Sequence, residues 1–319
     1  QYDVFNGDAD GICSLQQLRL SNPQTNVLVT GVKRDIELLE PLKLQPGDQV
    51  TVLDISLEKN CAAVNRHLEA GASIIYFDHH HAGEIPTHPR FRSYIDTSAE
   101  TCTALIVNKF LDDAQLPWAV VGAFGDSLDE RARRAAAKLG YSAEQLQQLR
   151  RLGIGINYNA YGEAVEDLHF PPAELFRALH PFKNPLDFVR ESPISKILQD
   201  GYEADLAQAR LLQPIQSSSV HAVYELPDAR WARRVSGVFA NVLSQDYPER
   251  AHALLTHQSR GGFLVSVRAP TVRREGADTV CRQFAGGGGR KGAAGINYLP
   301  DADVERFIEV FRTVYGVDD

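Results

Sequence analysis

From its start to about residue 130 the chain alternates short β-rich runs with helical patterns, and that alternation admits few folds other than a mostly parallel sheet built from βαβ units. The expected strands are residues 2–5, 26–32, 49–54, 73–78 and 93–96, with residues 12–20 as the first crossover helix. Ser98 reads as the N-cap of a helix over 99–111. The apolar run 119–124 leads straight into Gly125-Asp126-Ser127, and residues 129–212 read as mainly helical, interrupted by a loop over 153–162 and by several prolines. The fold class expected is α/β: an N-terminal domain over 1–193, a helical linker and hinge over 194–219, and a smaller α/β domain over 220–319. The break is placed at the polar, proline-containing stretch 213–219. In the second domain, strands are expected at 220–225, 252–257, 263–268 and 294–298, and helices near 230–244, 277–284 and 301–315.

In open parallel sheets ligands bind outside the carboxyl ends of the strands. Acidic residues collect at those positions here. Asn6-Gly7-Asp8-Ala9-Asp10-Gly11 follows the first run, Asp54 ends the third, and Asp78-His79-His80-His81 closes the fourth. With Asp126 beyond the run 119–124, the fold can bring Asp8, Asp10, Asp54, Asp78 and Asp126 to one sheet edge. Carboxylates a few ångströms apart do not all stay ionised without a cation, and hard divalent ions favour oxygen ligands. The imidazole of His79 shifts the preference toward Mn²⁺ or a similar transition ion over Ca²⁺. Two such ions, bridged by one carboxylate, would activate water and neutralise a phosphoryl oxygen.

The formal charge of −8 argues against a grip on long duplex nucleic acid. The charge is uneven: between Arg260 and Lys291 seven basic residues face only Glu275 and Asp278. Within that segment Gly286-Gly287-Gly288-Gly289-Arg290-Lys291 combines a backbone open to close approach with two adjacent cations, which suits an anion. Arg268, Arg273 and Arg274 are auxiliary phosphate candidates, and the tyrosines of 155–162 are candidates for base stacking. Cys13, Cys61, Cys102 and Cys281 lack CxxC spacing and read as reduced, with neither a disulfide framework nor a zinc ribbon. No apolar run approaches a membrane span and no signal segment is evident, so a cytoplasmic location without membrane contact is expected.

The order of these motifs resembles the DHH phosphoesterase family, and all four of its motif regions are matched. The resemblance implies that Asp8 serves one metal, that Asp10, His79 and Asp126 serve the other, and that Asp54 bridges them. It implies that His80 contacts substrate phosphate and helps protonate the leaving group, with Asp78 orienting an imidazole. His81 lies outside the family tripeptide. Residues 286–295 resemble the Gly-Gly-Gly-His-x-x-Ala-Ala-Gly signature of the DHH-associated domain, which implies substrate contacts from Gly287, Gly288, Gly289, Arg290, Lys291 and Arg268 and an active site in the interdomain cleft. The chain departs from the family at two places. Val4 and Asn6 stand where some members carry a histidine or a further aspartate, which implies a weaker hold on one metal, and Arg290 replaces the histidine.

The expectation is therefore a phosphodiesterase with two divalent cations, Mn²⁺ foremost and Mg²⁺ or Co²⁺ as alternatives. It would release nucleoside monophosphates from short single-stranded oligonucleotides or linear dinucleotides such as pGpG. The alternatives weighed are a phosphoanhydride hydrolase of the exopolyphosphatase or pyrophosphatase type and a non-catalytic nucleotide sensor. Assembly as a homodimer is left open.

Overall fold

A computed structural model describes residues 1–316. The chain divides into two compact units, Gln1–Asp200 and Gly201–Asp319. In the first unit five strands, β1 (Tyr2–Phe5), β2 (Val27–Val29), β3 (Gln49–Leu53), β4 (Ser73–Asp78) and β5 (Phe91–Ile95), pair in parallel in the order β2-β1-β3-β4-β5. Adjacent residues in a strand face opposite sides of the sheet, and both sides are apolar. Phe5, Leu53 and Phe77 join one core cluster, and Val4, Val52 and Tyr76 join another. That two-sided burial is why the strands read as continuous apolar runs.

Helix α2 (Leu57–Glu69) covers the second face through Leu57, Val64 and Leu68. The first face packs on α1 (Ala9–Ser21), α3 (Thr103–Phe110), α4 (Leu116–Gly125) and α6 (Ala143–Asn159), with α5 (Asp129–Ala136) between the last two in sequence. Trp118 is fully buried there, and its indole N–H donates to the carbonyls of Phe182 and Lys183. Three more helices follow: α7 (Pro172–Leu179), α8 (Pro185–Glu191) and α9 (Pro193–Arg210). At the amino end of the sheet the buried Arg19 guanidinium holds Asp3 through two hydrogen bonds of 2.9 and 2.6 Å, the paired geometry that makes a buried ion pair tolerable.

Several expectations are corrected. Helix α1 begins at Ala9, so Asp10 lies in its first turn. The run 119–124, to which the sequence assigns neither helix nor strand, is helical and lies within α4. Every residue of α4 except Pro117 is buried, and an element apolar all round gives no periodicity to separate helix from strand. The expected loop over 153–162 is helical as far as Asn159, and Ser98 caps nothing, because the helix starts at Thr103. Within 155–162, Tyr158 is fully buried and its hydroxyl meets His169 Nε2 at 2.9 Å, so it offers no stacking surface.

The second unit is built on a six-stranded mixed sheet. Its strands are β6 (Gln216–Ser217), β7 (His221–Leu226), β8 (Ala251–His257), β9 (Phe263–Arg268), β10 (Gly287–Arg290) and β11 (Ala293–Leu299), in the order β10-β11-β9-β8-β7-β6. Only β7 and β8 pair in parallel. Helix α10 (Arg230–Asp246) packs Val235, Phe239 and Leu243 against one face, while α11 (Ala277–Cys281) and α12 (Val304–Tyr315) supply Val280, Phe307 and Phe311 to the other. The glycine run is thus an edge strand paired with β11 and not a free loop. All four cysteines are free thiols. No helix among the described residues is long and apolar enough to cross a membrane.

Candidate metal centre

Register places the acidic residues. Phe5 pairs with Leu53 and Leu53 with Phe77, so the chain leaves three adjacent parallel strands at one level. The ladder continues one residue further, with the N–H of Asn6 donating to the Leu53 carbonyl at 3.1 Å and that of Asp54 to the Phe77 carbonyl at 3.0 Å. Asp54 then adopts φ +59°, a left-handed conformation that aspartate tolerates better than most residues. Asp126 arrives by another route, at the C-cap of α4. Helix α4 lies against α1 at Gly125, where a Cβ would stand 2.2 Å from the Cβ of Ala9, so a glycine is required.

Two sets of ligand atoms converge at this edge, each within 4.8 Å: Asp10, His79 and Asp126, and Asp54, His79 and His80. They share His79, whose Nε2 lies 3.5 Å from Asp54 Oδ1 and 4.0 Å from Asp10 Oδ2. Asp78 holds the histidines in place. Its Oδ1 accepts the backbone N–H of His79 at 2.9 Å and meets His80 Nδ1 at 2.7 Å, while its Oδ2 is buried without a partner. The His80 side chain is 40% exposed and that of His79 only 11%, so His80 is the imidazole that faces outward.

Asp10, Asp54 and Asp8 are each oriented by donors. Asp10 accepts the N–H groups of Thr103 and Ala104, both at 2.7 Å, and so caps α3 from a distant part of the chain. Thr103 Oγ1 donates to Asp54 Oδ1 at 3.1 Å. Asp8 caps its own helix, accepting from the N–H groups of Asp10 and Gly11, and receives the Lys33 ammonium on Oδ2 at 2.5 Å. The Asn6 side chain accepts the Asp8 N–H at 3.2 Å and donates to the Lys33 carbonyl at 3.3 Å. Lys33 and Thr103 escaped the sequence reading. Neither stands at a motif spacing, and both act from irregular backbone or a helix start fixed only by tertiary contacts.

Electrostatics favour a cation here. Burial, and then the charges of Asp10, Asp8, Asp78 and Asp126, push the Asp54 carboxyl well above the usual range. Burial and Asp10 push Asp126 up to about 6, against the opposing pull of Lys33 and His79. For Asp8 burial also acts upward, but Lys33 outweighs it and holds the group below the ordinary value. The His80 imidazole is raised because its hydrogen bond to Asp78 overcomes the effect of burial. Carboxylates forced above their normal range by burial and by one another, as Asp54 and Asp126 are, beside an imidazole at ligand distance, are the donor set that a Mn²⁺-type ion takes.

In the second unit, Arg290 and Lys291 are exposed at the β10–β11 turn, with Glu275 Oε1 4.0 Å from Lys291 Nζ. Arg268 ends β9 opposite Ala293 and donates to Asn241 Oδ1 at 2.8 Å. Gly287 is fixed by packing, since a Cβ there would lie 1.9 Å from the Cys281 carbonyl oxygen, whereas Gly288 faces open space.

No family model matches the chain, and no curated protein matches it. Solved structures do. A manganese-bound RecJ exonuclease aligns over 98% of this chain and 89% of its own, with TM-score 0.60 and 16% identity. The pGpG-specific phosphodiesterase PggH of Vibrio cholerae aligns over 98% of both chains, with TM-score 0.58 and 14% identity. An exopolyphosphatase-related protein of Bacteroides fragilis aligns over 98% of this chain and 90% of its own, with TM-score 0.51 and 13% identity. At these identities the likeness is one of fold. The chain has the fold that these DHH proteins share, and the resemblance first read from its four motif regions extends to its architecture.

Proposed function

We propose that the chain is a metal-dependent phosphodiesterase that hydrolyses short single-stranded oligonucleotides, or linear dinucleotides such as pGpG, to nucleoside monophosphates. The observation that carries this reading is the convergence of Asp10, Asp54, His79 and Asp126 at one sheet edge beside an outward-facing His80. Asp10, His79 and Asp126, with Asp54 alongside, would hold divalent cation, Mn²⁺ in first place. When bound, the metal supplies charge for a phosphoryl oxygen and lowers the pKa of water.

The chain's own residues provide the rest. His80 donates Nδ1–H to Asp78, which fixes the tautomer and turns Nε2 toward incoming substrate. With its pKa raised, the imidazole can carry a proton to the leaving oxygen near neutral pH. Thr103 and the N–H groups at the start of α3 keep the carboxylates aimed without help from substrate. Gly287, Gly288, Gly289, Arg290, Lys291 and Arg268 are proposed to take substrate phosphate. Arg290 is suited to this because its guanidinium offers a paired donor that stays charged.

A Mn²⁺-supported competition among pGpG, pApA, pAp, pyrophosphate and polyphosphate tests the reading, with Asp54→Ala as the blank. Cleavage of dinucleotides that is lost in the variant supports it. Phosphate release from polyphosphate alone would replace it with phosphoanhydride hydrolysis, and tight nucleotide binding without turnover would replace it with a sensor.

A further inference from the structure

We infer that Lys33 takes the place of one divalent cation, so that this sheet edge loads a single metal ion and not a pair. The inference rests on the metal-centre reading above and concerns how many ions that centre holds.

Both oxygens of Asp8 already have donors. Its Oδ1 accepts two backbone N–H groups and its Oδ2 accepts the Lys33 ammonium at 2.5 Å. Among the described residues neither convergent set of ligand atoms includes Asp8. The lysine is held there by more than its charge. Its ammonium also donates to Asn157 Oδ1 at 2.9 Å and stands 5.6 Å from the centroid of the Tyr161 ring, and its backbone N–H donates to the Ala160 carbonyl at 2.9 Å.

The departure at position 6 belongs to the same arrangement. Asn6 donates Nδ2–H to the carbonyl of Lys33 and accepts the N–H of Asp8, so one amide joins the lysine's backbone to the carboxylate it neutralises. An aspartate at position 6 would have no hydrogen to give that carbonyl and would add another negative charge. A second dication at Asp8 would have to displace the ammonium and then sit beside it. Lysine and asparagine together therefore do chemically what a second ion would do there: they neutralise Asp8 and fix its orientation, with a charge that is covalently part of the chain.

The test is the number of Mn²⁺ ions bound by the full chain, from calorimetric titration and from metal analysis after dialysis, neither of which needs turnover. The native protein is expected to bind about one equivalent, Lys33→Gln and Lys33→Met about two, and Lys33→Arg about one, since only removal of the fixed charge frees Asp8 for a hard cation. Two equivalents in the native protein would overturn the inference and leave the metal centre intact. A count unchanged in Lys33→Gln and Lys33→Met would overturn it as well. If those two variants do not fold, the native count decides alone. No Mn²⁺ bound by the native protein, with the Asp54→Ala blank indistinguishable from it, would remove the metal centre itself.

Discussion

Replacing Asp126 with asparagine should stabilise the metal-free protein and destroy its response to metal. In the absence of metal the Asp126 carboxyl is pushed up to about 6 from an ordinary 3.8, because it is largely buried and faces Asp10. At pH 7.5 it is ionised in both folded and unfolded chains, so the shift corresponds to about 3 kcal/mol of destabilisation. The group is partly exposed and the repulsion is shared with its neighbours, so a gain of about 1–3 kcal/mol is expected for Asp126→Asn. For a unit of this size that moves the melting temperature by roughly 2–10 °C. The pH dependence has a definite sign. A raised carboxyl pKa binds its proton more readily in the fold, so the penalty is complete above about 6, shrinks as pH falls, and is gone below the unfolded value of 3.8. Added Mn²⁺ should reverse the order, since a ligand at a hundred times its Kd stabilises the native protein by about 2.7 kcal/mol and should do little for the variant. Melts with EDTA and with Mn²⁺, at pH 7.5 and 5, measure all of this. A variant less stable than the native protein in EDTA at pH 7.5, or one that gains as much from Mn²⁺, would refute the reasoning.

Three further expectations are open to direct measurement. His252, fully buried on β8, has its pKa pushed down to about 4 by burial, against the opposing pull of the Tyr247 backbone. The folded second unit should therefore lose up to about 3 kcal/mol as pH falls from the unfolded value of 6.5 to 4, and denaturant titrations of His252→Leu should show that loss flattened. Thr103→Val removes the hydroxyl donated to Asp54 and should weaken Mn²⁺ binding by about 10–100-fold, with Thr103→Ser restoring most of it in the same titration. Gly287→Ala should cost on the order of 1–3 kcal/mol because its Cβ meets the Cys281 carbonyl. Gly288→Ala should fold normally and change only the KM for substrate, and an equal stability loss at both positions would show that the run is purely structural.

What could be read in the sequence was the chemistry at the strand ends. Apolar runs that stop at an aspartate have few places to go in a parallel sheet, and the register from Phe5 through Leu53 to Phe77 delivers Asp8, Asp54 and Asp78 together. Less legible was anything set by distant contacts. The run 119–124 reaches the same edge as a helix, since uniform apolarity carries no period. Helix α3 lacks a local cap because Asp10 supplies one from across the unit, so the local signal at Ser98 marks no helix start. Nothing within the glycine run marks it as a strand, and it becomes one only by pairing with β11. Lys33, in irregular backbone after β2, had no pattern that could reveal it.

The bonds that aim these carboxylates also bear on how the protein reaches its native state. Asp10 meets Thr103 and Ala104 across 93 and 94 residues, Lys33 meets Asn157 across 124, and Asp54 meets Thr103 across 49. Contacts of such sequence separation form only after long loops have closed, and they slow the search for the native topology. A chain still partway through that search presents scattered aspartates with no common focus. Capture of metal during refolding therefore reports that the whole first unit has assembled, and its rate should follow the slowest phase of that assembly, not the earlier collapse of the core.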